Sequence, residues 1–408
     1  MKIIIVGPAN PYRGGIADTN ESLCGSLVEE EHDASLITFT VQYPKFLFPG
    51  KTQFTPDTKP GNVAITRLIN SVNPFNWLSV AKKINELKPD LVIVRYWIPL
   101  LAPCLGSIVR LLNKNIVLIA MCDNVMPHEK RIGDKMLTRY FLNAFQGFIT
   151  LSNTTYKELT SFTSRPKTYY PHPINNNLGE KIDQKAAREY LNLNPEGRYL
   201  LFFGLIRDYK GLDLTLKALG TPKVKELDIK LLIVGEFYGA RDKYDELIEE
   251  LDLKENVIIV DQFIPTAEIK YYFSAVDMVV QTYKSASQSG VSQVAFNFEC
   301  PILVTNVGGL SEIVQHEQVG YVSERDPNQI AAYILDFFIY ERRSVFSKNM
   351  GLEKHKYNWN AFAGQLLKLY EKLAPDTKNS TVLYPQFKAL PKRITRVLRQ
   401  CLKNERMT

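Results

Sequence analysis

The chain has 408 residues, 45% of them hydrophobic and 23% charged, the composition of an ordinary globular protein that is too long for one hydrophobic core and too apolar to be disordered. Its net charge is +7, but residues 376–408 hold eight Lys and Arg against Asp376 and Glu405, so six of those charges sit in the tail. The nearly neutral body lacks the basic face a nucleic-acid groove requires.

No apolar run reaches the roughly 18 to 20 residues of a membrane span. The N-terminal MKIIIVGPANPYRGG runs a short apolar stretch into Gly and Pro, which reads as a first strand and not as a signal peptide. Cys24, Cys104, Cys122, Cys300 and Cys401 are scattered, with no paired-ligand or disulfide spacing. Reduced thiols, a cytoplasmic location, no metal and no cofactor are the expectations.

From residue 2 to about 172, KIIIVG, ASLITFT, LVIVRY, NIVLIAM and GFITLS alternate with helical patterns. Continuous apolar strands bounded by polar turns predict a parallel sheet buried on both faces. The rhythm restarts with YLLFFG, IKLLIVG, NVIIVDQF, DMVVQ and PILVT. The predicted fold class is therefore α/β, with two Rossmann-like domains in series.

YYPHPINNNLGE (169–180) reads as the linker. The expected division is 1–172, 173–360, a helix over 361–375 returning toward the first domain, and a tail over 376–408. Ligands of such sheets bind at the carboxyl ends of the strands, which places the reaction centre between the domains. A Gly-x-Gly-x-x-Gly run after the first strand is missing, against a dinucleotide reading. In the tail, Ile394, Val397, Leu398, Cys401 and Leu402 fall on one helical face, with Pro391 at the first turn and basic residues elsewhere. Docking on an anionic membrane surface and plain solvation both fit it.

Two segments carry the chemistry. In FFGLIRDYKGLDLTLKAL (202–219) a Gly-flanked turn can aim Arg207 and Lys210 at one point above a strand, where fixed cations stabilise a departing diphosphate; solvated surface lysine and arginine are the alternative. In YKSASQSGVSQVAFNFECPILVTNVGGLSEIV (283–314) a helix opens at Ser289, Gly290 and Val291. Its backbone N–H groups suit a phosphate, or the segment is a plain Ser N-cap.

These segments, with PYRGGIADTNESL, LLIVGE and KYNWNAFAGQLLKLYEKL, resemble the family 4 glycosyltransferases of the two-Rossmann-domain (GT-B) type across roughly residues 1–373. The resemblance implies retaining transfer from a nucleotide-diphosphate sugar to a glycan or lipid-linked acceptor in cell-surface polysaccharide or glycolipid assembly, without a metal. It assigns Gly14 and Gly15 to a loop over the donor phosphates; as a plain strand-to-helix turn they need no ligand. The family's Glu-x7-Glu pair falls on Ala286 and Val294, leaving Gln288, Ser289 and Gln293 to supply neutral hydrogen bonds. Where relatives place a His, AMCDNVMPHEKR (120–131) offers Asp123, with His128 five residues on.

Asp123 is read as a base for the acceptor hydroxyl or, with Asn124, as the cap of the following helix. Arg95 is read as an acceptor contact or an ion-pair partner, and Glu312 as a donor contact or the cap of the next helix. His172 is placed at a hinge, and Glu236 and Gln262 to Ile264 border the nucleotide base or form ordinary loops. An epimerase of the same fold and a non-catalytic nucleotide-sugar scaffold are the competing functions.

Overall fold

The structure, a computed structural model, describes residues 1–43, 53–55, 63–127, 131–175, 178–239 and 241–374. The tail over 376–408, with its predicted helix, and His128 lie outside the described residues.

The first sheet has seven parallel strands: β1 (Lys2–Val6), β2 (Asp33–Val41), β3 (Ala64–Asn70), β4 (Leu91–Tyr96), β5 (Val117–Cys122), β6 (Gly147–Thr150) and β7 (Lys167–Tyr169). Their order is β3-β2-β1-β4-β5-β6-β7. The second has six: β8 (Arg198–Phe203), β9 (Ile229–Val234), β10 (Val257–Val260), β11 (Met278–Gln281), β12 (Ile302–Thr305) and β13 (Gly320–Ser323), ordered β10-β9-β8-β11-β12-β13. All pairings are parallel, for example Ile4 with Ser35 and Val92. β1, β4, β5, β8 and β9 are buried almost throughout, because helices cover both faces of a parallel sheet.

All ten strands read from sequence are present. The three it missed, β3, β7 and β13, lie at sheet edges. β3 is largely exposed and contains Thr and Arg, and β7 has three half-buried residues, so neither shows the apolar run that reports burial. Tyr169, read as the first linker residue, closes β7.

Helix starts follow local chemistry. Asn73 accepts hydrogen bonds from the backbone N–H of Phe75 and Asn76, with Pro74 at the first helical position of Pro74–Leu87. Asp326 caps Pro327–Ile339 in the same way. The C-terminal helix Trp359–Leu373 packs on the helix Gly15–Glu29 and on β5 to β7. Ser26 there lies 2.6 Å from Asn360 Oδ1.

Cys24, Cys104, Cys122 and Cys300 are buried and unpaired, and burial pushes each thiol up, Cys24 and Cys300 to about 12. None is a ready nucleophile.

Candidate active site

Arg207 and Lys210 follow β8. Beyond that strand, Ile206 and Phe237 form a parallel bridge: Ile206 N donates to Glu236 O, and Tyr238 N donates to Ile206 O, both at 2.9 Å. The Arg207 guanidinium lies 4.2 Å over the Tyr238 ring and 5.8 Å from that of Tyr209, within reach of cation–π attraction.

The chain then turns back through Gly211 at φ +69°, where a Cβ would fall 2.0 Å from Thr282 O. Only glycine fits that approach. The turn drives Lys210 inward until the residue is 7% exposed. Its Nζ stands 5.4 Å from the Tyr283 ring centroid, and a Cβ on Gly204 would come within 2.9 Å of it. Among the described residues no carboxylate pairs with it. Desolvation lowers its pKa, and the Arg207 charge adds to the effect against Tyr209.

Tyr283 joins this cation to the second segment. Its hydroxyl is 3.2 Å from Ser289 Oγ, and burial lifts its pKa to about 12, so the phenol stays protonated. Ser289 caps the helix Gly290–Asn297 by accepting from Val291 N at 3.3 Å. This corrects the expectation of three phosphate-binding amides: Val291 is occupied by the cap. The Ser289 and Gly290 amides have no hydrogen-bond partner among the described residues.

Ser287 and Gln288 are braced from behind. Gly308 (φ +51°) and Gly309 lie so close that a Cβ would fall 1.5 Å from Ala286 O and 2.3 Å from Ser287 O, and Gly309 N donates to Ser287 O at 3.1 Å. Gln288 Nε2 donates to Asp123 Oδ1 at 2.9 Å, while its Oε1 is buried without a partner. Gln293, 2% exposed, leaves both polar atoms of its amide unpartnered. Such atoms cost about 1–3 kcal/mol each when nothing satisfies them.

Asp123 directly follows β5 and Arg95 lies near the end of β4. Arg95 Nε donates to Asp123 Oδ2 and Nη2 to Oδ1, both at 2.5 Å, with Arg95 1% and Asp123 4% exposed. Arg95 is therefore the ion-pair partner, buried together with Asp123. Among the described residues Asp123 caps no helix: the next described one begins at Asp134 with Gly133 as its N-cap. His172 lies buried nearby, its Nδ1 2.7 Å from Pro173 O. Burial first and the Arg95 charge second push its pKa down to about 4, so it is neutral.

Gly14 and Gly15 start the helix Gly15–Glu29; Gly14 has φ +108°, and a Cβ at either would meet nothing within 4 Å. Arg13, just before them, was passed over at the sequence level. Its Nη2 meets Glu236 Oε2 at 2.5 Å with both side chains under 10% exposed, and its guanidinium lies 4.7 Å over the Phe263 ring. PYRGG placed an arginine beside the flexible pair, which was the available signal.

Glu312 reaches across to the first domain. It accepts from the N–H of Asn153 and Thr154 at 2.7 Å each and from Thr154 Oγ1 at 2.6 Å. It thus accepts from the first two amides of the helix Asn153–Thr160, whose N-cap is Ser152. No group of three His, Cys, Asp or Glu among the described residues is placed to hold a metal ion.

Residues 13–175 match the model described as Glycosyltransferase Family 4, and residues 183–351 that described as Glycosyl transferases group 1. An uncharacterized glycosyltransferase of Methanocaldococcus jannaschii is 23% identical over 91% of this chain and 98% of its own length. Sucrose-phosphate synthase from Thermosynechococcus elongatus shares the fold with a TM-score of 0.73 at 18% identity, covering 91% of this chain and 99% of that one. HepE of Anabaena in complex with UDP and glucose gives 0.71 at 15%, covering 91% and 100%. With one model on each half and both sheets as that architecture requires, the chain belongs to the group 1, family 4 glycosyltransferases of the GT-B fold.

Proposed function

We propose that the chain transfers a sugar, with retention, from a nucleoside-diphosphate sugar to a hydroxyl of a glycan or lipid-linked acceptor. The observation that carries this is Lys210, a buried ammonium with no carboxylate partner among the described residues, set beside Arg207 and the Ser289 and Gly290 amides. A buried cation without an anion is costly, and a diphosphate supplies that anion. HepE, holding UDP and glucose, supports the donor class.

The bond from the sugar's anomeric carbon to phosphate breaks, and negative charge grows toward Arg207, Lys210 and the two amides. Fixed charges there stabilise the transition state more than the bound donor. The acceptor oxygen bonds to the anomeric carbon on the same face, and its proton passes to the departing phosphate oxygen. Asp123 is not given that proton: both its oxygens already accept hydrogen bonds from Arg95, and Oδ1 accepts another from Gln288. Its part is to orient Gln288. Gln288 Oε1 and the Gln293 amide are the groups left to bind donor hydroxyls.

The test is release of nucleoside diphosphate from UDP-, GDP- and ADP-sugars, with product anomers assigned by NMR. Turnover of one donor that Lys210→Ala removes, giving the retained anomer, supports the reading. Turnover indifferent to that substitution contradicts it.

A further inference from the structure

Arg13 ties the two domains together at a point the chemistry above does not use. Its backbone leads directly into Gly14 and Gly15, whose surroundings are open, while its side chain crosses to the second domain, pairs with Glu236 at 2.5 Å and covers Phe263. Glu236 is not a loose surface carboxylate. Its carbonyl accepts from Ile206 N, and Tyr238, two residues on, donates back to Ile206 while its ring supports the Arg207 guanidinium. The ion pair therefore joins the glycine loop to the strip of backbone that positions a phosphate-binding cation.

We infer that Arg13 is a positioning residue: its pair with Glu236 holds the Gly14–Gly15 loop over the donor site and couples closure of the domains to the placement of Arg207. The inference rests on the transferase reading for its catalytic consequence, but not for its structural one. A buried pair between two domains is sensitive to loss of either partner, since the remaining charge is left without compensation. The flexible glycines add little rigidity, and within the first domain the loop is anchored by Arg13 N donating to Gln53 O at 3.0 Å; the Arg13 side chain ties it to the second domain.

The experiment uses the full chain as wild type, Arg13→Gln, Glu236→Gln and the double variant, with Arg13→Lys retaining charge without the planar guanidinium. Thermal unfolding first verifies that each is folded. In donor-free solution, small-angle scattering is expected to show a larger radius of gyration for each single Gln variant than for wild type. At saturating donor, kcat is expected to fall roughly 10- to 100-fold, as small misplacements near a reacting centre do. The nucleoside-diphosphate dissociation constant is expected to rise by a smaller factor than kcat falls, and the double variant to be no worse than either single one.

A role confined to stability would lower the melting temperature and leave kcat unchanged. An unchanged radius, an unchanged kcat, or losses that multiply in the double variant each overturn the inference. Absence of nucleotide binding by the wild type would instead defeat the transferase reading, and the scattering comparison would still decide whether Arg13 holds the domains closed.

Discussion

Arg95 and Lys210 are buried cations near strand ends, one in each domain, and the chain treats them in opposite ways. Arg95 is matched by Asp123 through two short hydrogen bonds and has a further contact to Asn20 Oδ1 at 3.4 Å. Lys210 has aromatic rings and glycines around it and, among the described residues, no anion. A satisfied buried charge is architecture, whereas an unsatisfied one is an invitation to a ligand. The two glycine pairs repeat the contrast: Gly308 and Gly309 permit a close approach of backbones, and Gly14 and Gly15 face open space.

The largest effect expected from breaking this comparison is on stability. Arg95→Ala leaves Asp123 buried without its partner and should cost about 3–5 kcal/mol, read by denaturant unfolding. Replacing both, Arg95→Met with Asp123→Leu, should recover most of that loss. Lys210→Met should do the reverse, leaving the donor-free protein as stable or more so while lowering turnover by roughly 10²- to 10³-fold. Gly308→Ala should cost at least about 2 kcal/mol, because the substitution meets both a positive φ and a backbone oxygen. Gly15→Ala should change stability by less than about 0.5 kcal/mol, so any loss of kcat it causes belongs to the loop's function.

A smaller effect sharpens the same point through pH. His172 is held neutral down to about 4 from an ordinary 6.5. Between those values the unfolded chain binds a proton that the folded chain does not, so stability falls as pH drops through that window and levels off below it. The loss is of order 3–4 kcal/mol, and His172→Gln should flatten melting temperature against pH between 6.5 and 4.

The fold was legible because burial writes itself into sequence. Strands such as β1 and β4 are almost entirely apolar since helices cover both faces, whereas the edge strands β3, β7 and β13 lack that record. Within the site, the local chemistry was also readable: Arg207 and Lys210 in one turn, Ser289 at a helix start. Partners distant in sequence were not. Arg13 and Glu236, Asp123 and Gln288, and Glu312 with the helix Asn153–Thr160 are each separated by more than 150 residues, and no periodicity reports such a contact. Arg95 was read as an acceptor contact or an ion-pair partner and Glu312 as a donor contact or the cap of the next helix; the structure pairs Arg95 with Asp123 and sets Glu312 on the first amides of the helix Asn153–Thr160.

The most direct measurement is calorimetric titration of the full chain with UDP, GDP and ADP, beside Lys210→Ala and Arg95→Lys. The account predicts that one diphosphate binds the wild type, that Lys210→Ala weakens it by about tenfold or more, and that Arg95→Lys, where it folds, binds as the wild type does. Binding that survives Lys210→Ala unchanged, or a folded wild type that binds none of the three, would contradict it.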